Sequence, residues 1–298
     1  MSRRDEKTVT FPHEDIDSFR DAVQFTSARS GFPGDLIEKD YFCSLVLSHL
    51  FGGSNHGTLV FKGGTSLNKI HFGFYRLSED LDFSIPVALD ATRGDRRKAK
   101  SDTEKRITEL QAALPFFAFT KPWTGANNST QYLAEVAYPS VITNAPGRIK
   151  IEAGLREPML MPPITHGASC LVLDPGSEQP VLDPVNVRVM DLREAMAEKA
   201  RATLARLTPA IRDVFDLWHA RQKGALPFEN PEFITLVRQK LAIPGNAAGS
   251  ASTERRDQLR GQVNTELRPV LRSADFDQFN FDEAWKIVEE LARLVFAE

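Results

Sequence analysis

Phe61–Pro86, with the sequence FKGGTSLNKIHFGFYRLSEDLDFSIP, is the stretch around which the rest of this chain is organised. An apolar, β-branched run, Thr58–Phe61, leads into two glycines, and a segment with helical spacing follows over Ser66–Phe72. A second apolar run, Leu81–Val87, begins beside two aspartates. Short apolar runs bounded by turn residues are typical of buried strands. The stretch therefore predicts a strand, a glycine turn, a short helix and a second strand.

The two aspartates of this stretch, Asp80 and Asp82, are separated by one residue at the start of the second predicted strand. Residues two apart in a strand face the same side, so both carboxylates are expected together. Carboxylates this close repel unless a cation lies between them. Mg²⁺ takes one or two carboxylates and completes its shell with water and phosphate oxygens. The pair predicts a site for Mg²⁺ or Mn²⁺, with Asp80 and Asp82 as metal ligands and catalytic residues.

The glycine turn comprises Gly63, Gly64, Thr65 and Ser66. Glycines let backbone N–H groups approach a phosphate closely, and the N-terminus of the following helix adds its positive dipole. The two hydroxyl groups are further hydrogen-bond donors. A triphosphate on the turn and metal ions on the aspartates would form a nucleotidyl-transfer site, in which two metal ions support an in-line displacement.

Two other Asp-x-Asp pairs test how much this spacing means on its own. Asp15 and Asp17 are interpreted as charges near a helix start, and Asp275 and Asp277 as part of a loop before the last helix. Neither pair follows a glycine turn at short range. The combination of turn and aspartates, rather than the aspartates alone, indicates the site.

The remaining pattern predicts an α/β (α+β) N-terminal half with a mixed sheet and an all-α C-terminal half. Further strands are predicted at 116–120, 131–138 and 148–154, and helices at 93–110, 187–207, 209–223, 231–241, 257–271 and 281–296. Residues 155–186 contain six prolines and are predicted as a loop-rich connection. The predicted domains are residues 1–180 and 187–298, with the active site between them.

The composition is that of a globular protein without a membrane span. The chain of 298 residues is 42% hydrophobic and 26% charged, with a net charge of −3. No apolar run approaches the ~20 residues that a transmembrane helix needs, and no secretory signal is expected at the N-terminus. Cys43 and Cys170 are interpreted as buried free thiols in a reducing compartment, so a cytoplasmic location without a membrane partner is predicted.

Several longer strings resemble the AbiEii family within the DNA polymerase β-like nucleotidyltransferase superfamily. They are Ile37–Tyr41 (IEKDY), Phe61–Lys69, Arg76–Phe83, Ala197–Arg206 (AEKARATLAR) and Arg212–Leu217 (RDVFDL). Members of this family are bacterial toxins of type IV toxin–antitoxin and abortive-infection systems, the latter a form of phage defence. Relatives such as the MenT-type toxins transfer nucleotides from NTPs, in several cases to the 3′ end of tRNA. The resemblance implies a polymerase β-like core, an NTP substrate, a tRNA acceptor and a cognate antitoxin.

The superfamily usually uses a third carboxylate on a neighbouring strand. Glu152 alternates with Ile149 and Ile151 in a predicted strand and is the preferred third metal ligand. Glu135, in the strand before it, is the alternative, and a site with two carboxylates stays open.

The family's Glu-Lys and Arg-Asp strings imply roles for two residues in the helical half. Lys199 matches a lysine thought to contact NTP phosphates, which fits a mobile point charge facing the cleft. The alternative for Lys199 is a surface lysine paired with Glu198 or Asp213. Asp213 would act as a base on the attacking hydroxyl or would hold Lys199 or Arg206 in place. Asp216 lies three residues further on, near the same helix face.

Basic residues near the predicted site are candidate contacts for phosphate. Arg76 is expected to reach phosphate or to brace Asp82, with a surface ion pair as the alternative. Lys69 is preferred over Lys62 as a nucleotide contact, because the residue before the turn usually ends a buried strand. Arginines and lysines within 93–106 and 199–223 are candidates for binding an RNA backbone, or belong to solvated helix faces.

Three alternatives to a tRNA nucleotidyltransferase remain at this point. The acceptor would be a protein hydroxyl or a small molecule, the chain would be a non-catalytic nucleotide-binding module, or it would be an unrelated metal hydrolase. Intact Asp80 and Asp82 argue against the second, and a hydrolase would release no pyrophosphate.

Overall fold

The computed structural model describes residues 11–53, 57–225, 227–247 and 249–297, so the start of the first predicted domain lies outside the described residues. The strands are β1 (Val60–Lys62), β2 (Leu81–Ser84), β3 (Ala118–Ala126), β4 (Gln131–Tyr138), β5 (Gly147–Gly154), β6 (Ile164–Ala168) and β7 (Val185–Val189). The α-helices are α1 (Ile16–Ser30), α2 (Gly34–Phe51), α3 (Gly63–Ser66), α4 (Arg93–Ala113), α5 (Leu192–Ala205), α6 (Ile211–Gln222), α7 (Pro231–Leu241), α8 (Thr253–Gly261), α9 (Ser273–Gln278) and α10 (Phe281–Phe296). Among these residues, no helix is both long and apolar enough to cross a bilayer.

The strands form one mixed sheet in the order β3-β4-β5-β2-β1-β7-β6. β1 pairs with β7 and β2 with β5 in parallel, and the remaining neighbours are antiparallel. The predicted mixed sheet is confirmed. Its two central strands, β1 and β2, are the strands predicted on either side of the glycine turn.

Two hydrophobic clusters surround the central stretch. One joins α1 and α2 to buried side chains of the sheet, and the other joins α5, α6, α7 and α10. The second cluster also takes in Val60, Leu67 and Tyr75. Because Phe61, Leu81 and Phe83 belong to the first cluster, Phe61–Pro86 contributes to both cores. The stretch that was predicted to carry the chemistry therefore lies where the sheet meets the helices.

The predicted connection 155–186 and the helix predicted from Val187 are partly wrong. Residues 164–168 and 185–189 are paired strands, and the first helix of the C-terminal half begins at Leu192. In Val185–Val189 the apolar residues alternate with polar ones, and Val187 and Val189 are buried. This period-two signal is short and directly precedes a long helix, so the helical pattern extended over it.

Two further helix predictions in the C-terminal half need correction. The helix predicted at 257–271 begins earlier, at Thr253, and gives way after Gly261 to a π turn and a 3₁₀ turn, where Pro269 cannot donate a helical hydrogen bond. Asp275 and Asp277 lie in the short helix α9 rather than in a loop. Asp15 caps α1, as its interpretation predicted, and 131–138, 231–241 and 281–296 are confirmed.

Candidate active site

The predicted glycine turn, Gly63–Ser66, is the single helical turn α3, which directly follows β1 and requires its first glycine. Gly63 has φ +77°, and a Cβ at this position would lie 2.4 Å from Asp82 Oδ2. A Cβ on Gly64 would lie 2.6 Å from Arg76 Nη2. The first glycine thus allows the chain to turn against the Asp82 carboxylate, and the second leaves room for a buried arginine.

Three charged residues form a row across the centre of the sheet. Lys62 on β1 is opposite Asp82 on β2, and Asp82 is the register partner of Glu152 on β5. All three line a cavity of about 170 Å³ that α5 and α6 close from the other side. Charged residues that also line the cavity are Glu198, Lys199 and Arg201 from α5, Arg206 directly after α5, and Asp213 from α6. The sheet thus brings two predicted metal ligands face to face with the predicted lysine.

The carboxylates on the sheet have few cationic partners. Burial, and then the charge of Glu152, raise the pKa of Asp82 to about 6, against the opposing effect of Lys62. Burial also raises the pKa of Asp80, which directly precedes β2 and is not part of the cavity lining. Within the described part of the chain, neither aspartate side chain takes part in an ion pair or a hydrogen bond. This is the electrostatic condition that a bound cation would relieve.

The two candidate third carboxylates occupy different places. Glu152 lies beside Asp82 and also binds Lys150 Nζ at 2.7 Å. Glu135 lies in β4, opposite Lys150 of β5, and forms ion pairs with Lys121 at 3.1 Å and Arg148 at 3.5 Å. The structure therefore brings Glu152, and not Glu135, to the row that contains Asp82.

The residues on the sheet fit a divalent metal only with help from a substrate. Over the described ranges, no three His, Cys, Asp or Glu side chains gather into a complete metal-binding set. Mg²⁺ does not need such a set, since it keeps several waters and takes one or two carboxylates together with phosphate oxygens. Asp82, which has no ion-pair partner among the described residues, and the adjacent Glu152, which pairs with Lys150, meet that requirement.

The helical side of the cavity carries Lys199, whose ammonium group is fully paired. Its Nζ lies 2.7 Å from Asp213 Oδ1 and 2.9 Å from Asp216 Oδ2. Burial alone would lower the pKa of Lys199, but these two carboxylates outweigh it and raise the pKa. Asp213 also lies 3.7 Å from Arg206. The contacts match the second role considered for Asp213, which is to hold Lys199 and Arg206.

Arg76 does not reach the cavity, which corrects both roles predicted for it. It is 1% exposed, and its Nε and Nη2 bind the two oxygens of Asp216 at 2.6 and 2.9 Å. The hydroxyl of Tyr75 donates to the same carboxylate at 2.6 Å. Arg76 and Asp216 are fully desolvated, and such bidentate pairs are among the strongest in proteins. Arg76 thus acts on the carboxylate that holds Lys199.

Lys69 is also buried away from the cavity, and the preference for Lys69 over Lys62 was wrong. Its Nζ contacts Asp40 Oδ1 at 2.7 Å, Ser44 Oγ at 2.8 Å and Ser169 O at 3.1 Å. The aspartate of the Ile37–Tyr41 string, Asp40, therefore serves as the buried counter-charge of Lys69. Lys62 lies in the cavity instead, because its strand ends at the sheet's centre and its side chain lies on the same row as Asp82.

The hydroxyl groups of the turn donate to the backbone rather than into the cavity. Thr65 Oγ1 donates to the carbonyl of Asp80, and Ser66 Oγ donates to the carbonyl of Gly63 at 2.9 Å. Both residues are buried. Thr65 thus links α3 to the residue before β2, and Ser66 closes a hydrogen bond within α3.

Sequence reasoning missed a second charged cluster on the helical side. Lys62 Nζ lies 3.0 Å from Glu198, which also contacts Lys240 at 3.3 Å. Lys240 lies on α7, is 1% exposed, and contacts Glu157 at 3.0 Å and Glu194 at 2.7 Å. Glu194 and Glu198 are four residues apart in one helix, which places both on the same face. That spacing was visible in the sequence, but the partner on α7 was not.

The basic run in α4 divides into structural and exposed residues. Lys100 is buried against Glu104, and Arg106 donates to the carbonyls of His49, Leu50 and Gly52 at the end of α2. The exposed residues of the run are Arg93, Arg97, Lys98 and Lys105. In the C-terminal half, Arg221 is paired with Glu229 and Glu290, whereas Arg201 and Arg206 line the cavity. Only part of the predicted basic surface is therefore available to a substrate.

Comparison with known protein families gives a match over most of the chain. The family described as "Nucleotidyl transferase AbiEii toxin, Type IV TA system" matches residues 46–294. No curated protein sequence matches the chain significantly.

Solved structures share the fold at low sequence identity. MenT4, a nucleotidyltransferase toxin from Mycobacterium tuberculosis, superposes with a TM-score of 0.52 at 20% identity, over 93% of this chain and 97% of that one. JHP933 from Helicobacter pylori gives 0.52 at 14% identity, over 89% and 93%. A putative nucleotidyltransferase from H. pylori gives 0.51 at 14%, over 89% and 96%. At these identities the likeness establishes the fold alone.

Proposed function

The chain belongs to the AbiEii family of nucleotidyltransferase toxins of type IV toxin–antitoxin systems, and from this premise we propose that it transfers a nucleoside monophosphate from an NTP to the 3′ end of tRNA. The observation that carries the proposal is the row of Lys62, Asp82 and Glu152 beside Gly63. Asp82, a buried carboxylate without a counter-charge in contact, and its neighbour Glu152 suit a triphosphate with its metal, next to Gly63 and across the cavity from Lys199.

The size of the cavity favours the triphosphate as the part of the NTP that enters it. Its volume of about 170 Å³ is below the ~300–1,000 Å³ of pockets that enclose a whole ligand of this kind. Four of its lining residues are cationic: Lys62, Lys199, Arg201 and Arg206. The base and ribose would then extend out of the cavity.

A divalent cation, Mg²⁺ or Mn²⁺, would be held by Asp82 and Glu152, with Asp80 adding its field. When bound, it supplies charge neutralisation for the phosphates and activation of the attacking hydroxyl. Lys199 neutralises charge on a phosphate oxygen, and Asp213 keeps its ammonium group in place. The acceptor oxygen forms a bond to the α-phosphorus as the bond to pyrophosphate breaks.

Exposed cations support an RNA acceptor. Arg206 lines the cavity with a 55% exposed side chain, and α4 carries exposed arginines and lysines outside the cavity lining. Phosphate contacts of this kind supply most of the affinity for a nucleic acid, even in a protein of net negative charge. A protein hydroxyl or a small-molecule acceptor would not need them.

The cell biology follows from the same proposal. A toxin that modifies tRNA would act in the cytoplasm, where the buried free thiols of Cys43 and Cys170 stay reduced. A cognate antitoxin would be its partner. The two hydrophobic clusters support a division into a catalytic part and a helical part, with the helical part beginning at α5.

The test is an acceptor assay with purified protein. Each α-³²P-labelled NTP is incubated with total tRNA, with a protein mixture, and with neither, and pyrophosphate release is followed in parallel. We expect label on tRNA for wild type and at least a ~10²-fold loss for Asp80→Ala. Asp17→Ala, in the exposed Asp-x-Asp pair of α1, is the matched control and should retain full activity.

Each other outcome points elsewhere. Label on protein or on neither acceptor, with pyrophosphate release, would move the acceptor assignment. Full labelling by Asp80→Ala would remove the assigned role of Asp80. If wild-type protein neither labels an acceptor nor releases pyrophosphate, the chain would be a non-catalytic nucleotide-binding module.

A further inference from the structure

A buried lysine outside every string that resembles the family contacts the cleft through one carboxylate. Lys240 Nζ lies 2.7 Å from Glu194, 3.0 Å from Glu157 and 3.3 Å from Glu198. Glu198 in turn holds Lys62, with its two oxygens 3.2 and 3.0 Å from the ammonium group. Lys62 is the residue opposite Asp82 in the cavity. A chain of alternating charges therefore runs from α7 to the nucleotide cleft.

We propose that Lys240 is a positioning residue for nucleotide binding, which acts through Glu198 to leave the Lys62 ammonium group available to an NTP phosphate. The proposal rests on the proposed function, since it needs a nucleotide in the cleft.

The cage of carboxylates around Lys240 has further partners of its own. Glu194 is fully buried, and its carboxylate also accepts the backbone N–H groups of Leu160 and Met161 at 2.8 to 3.1 Å. Glu198 lies on the same face of α5, one turn further along. With 1% exposure, Lys240 has no alternative position in solvent. The three carboxylates and the lysine are thus locked together in the folded state.

The charges explain why this cage matters to Lys62. The Lys62 and Glu198 side chains are only 22% and 13% exposed, so their attraction is weakly screened. The charges of Lys62 and Lys240 hold the pKa of Glu198 below its ordinary value. Without Lys240, Glu198 would keep Lys62 as its one ion-pair partner among the described residues and would draw it away from Asp82. An NTP phosphate would then compete against a stronger hold on the same ammonium group.

The experiment is a double-mutant cycle on NTP binding and turnover. Lys62→Met, Lys240→Met and the double variant are compared with wild type for the KM of the NTP, for kcat, and for the Kd of the Mg–NTP complex without acceptor. We expect each single variant to raise KM and Kd about tenfold with kcat changed less than about twofold. The double variant should be no weaker than Lys62→Met alone, because Lys240 acts through Lys62.

Two further variants keep the test decisive. If Lys240→Met does not fold, the variant Lys240→Met/Glu194→Gln replaces it, because this variant removes one charge of each sign from the cage. The effect of this variant on Kd should likewise vanish when Lys62→Met is also present. Lys100→Met, a buried lysine paired with Glu104 in α4, is the control and should leave Kd unchanged.

The proposal is overturned if the increases in Kd from Lys62→Met and Lys240→Met multiply in the double variant. It is also overturned if Lys240→Met lowers kcat equally in the wild-type and Lys62→Met proteins. Either result would make Lys240 a purely structural residue. A wild type that binds Mg–NTP but labels no acceptor would contradict the proposed function while the Kd cycle still decides the role of Lys240. A wild type that binds none of the four NTPs would overturn both.

Discussion

The two sides of the cleft differ in how their charges are neutralised. On the sheet, Asp82 lies beside Glu152, and its carboxylate has no ion-pair partner among the described residues. On the helices, Lys199 is held by two carboxylates, and Asp216 accepts bonds from Arg76, Tyr75 and Lys199. On the sheet side the Asp82 carboxylate has no counter-charge in contact, whereas on the helical side Arg76, Lys199 and Asp216 are buried and paired with one another or with Asp213.

This difference separates binding groups from positioning groups. A buried carboxylate beside another carboxylate is costly in the folded protein and is retained where a ligand completes it. A compensated buried pair costs little while both partners are present and much when one is removed. The sheet side is therefore expected to bind substrate and metal, and the helical side to fix the cations that face them.

Replacement of Asp82 should give the largest effect on activity and little effect on stability. Asp82→Asn removes the proposed central metal ligand and should lower kcat/KM at least roughly 10³-fold. Glu152→Gln should cost less, on the order of 10- to 100-fold, because it removes the outer member of the pair. In metal-free buffer, the free energy of unfolding of Asp82→Asn should equal or exceed that of wild type, since a repulsion is relieved. Transfer kinetics and thermal denaturation measure the two quantities.

Glu135→Gln is the matched control for this side of the cleft, because its ion pairs lie with Lys121 and Arg148. It should keep wild-type kcat/KM. A saturating Mg–NTP complex should raise the melting temperature of wild type more than that of Asp82→Asn. A wild-type level of activity in Asp82→Asn, or a loss in Glu135→Gln as large as in Glu152→Gln, would contradict the distinction between the two carboxylates.

Replacement of Asp216 should do the reverse and act first on stability. Asp216→Asn leaves Arg76 and Lys199 buried without their shared carboxylate, and breaking a buried pair in this way costs about 3–5 kcal/mol. The free energy of unfolding, from denaturant titration, should fall by that amount. Asp17→Asn, which breaks an exposed pair with Arg20, should change it by less than about 1 kcal/mol.

A stability of Asp216→Asn equal to that of wild type would mean that the buried charges of the helical side are not compensated in the folded protein. A loss confined to activity would place Asp216 with the binding groups and would remove the contrast between the two sides.

The sheet side was the more predictable of the two from sequence. A positive-φ glycine, two aspartates with strand spacing and an alternating strand around Glu152 are local signals, since each depends on neighbours within a few residues. The pairing of β2 with β5 then makes Asp82 and Glu152 direct neighbours. Local pattern also predicted most helices correctly. It started α5 too early, within β7, because the alternating pattern of a five-residue strand is weaker than the helical pattern that follows it.

The helical side could not be predicted in the same way, because its residues are defined by partners far along the chain. Lys69 and Arg76 lie in the decisive stretch, yet their partners are Asp40 and Asp216. A lone basic residue near a predicted phosphate site looks the same whether it faces the phosphate or a buried carboxylate. Lys240 gave no signal at all. Long-range charge pairing is information that only the fold supplies.

Replacement of Arg206, a partly exposed cation at the edge of the cavity, should give the smallest effect and test which side meets the acceptor. Arg206→Gln should weaken tRNA binding several-fold and reduce the slope of log K against log salt by about 0.7 to 1, the value for one phosphate contact. Arg29→Gln is the matched control, because Arg29 has the same 55% exposure and pairs with Glu178 away from the cavity. Filter binding across a salt series measures both slopes. If the two variants shift the slope equally, Arg206 is only a solvated charge, and the helical side fixes cations for the nucleotide without contacting the acceptor.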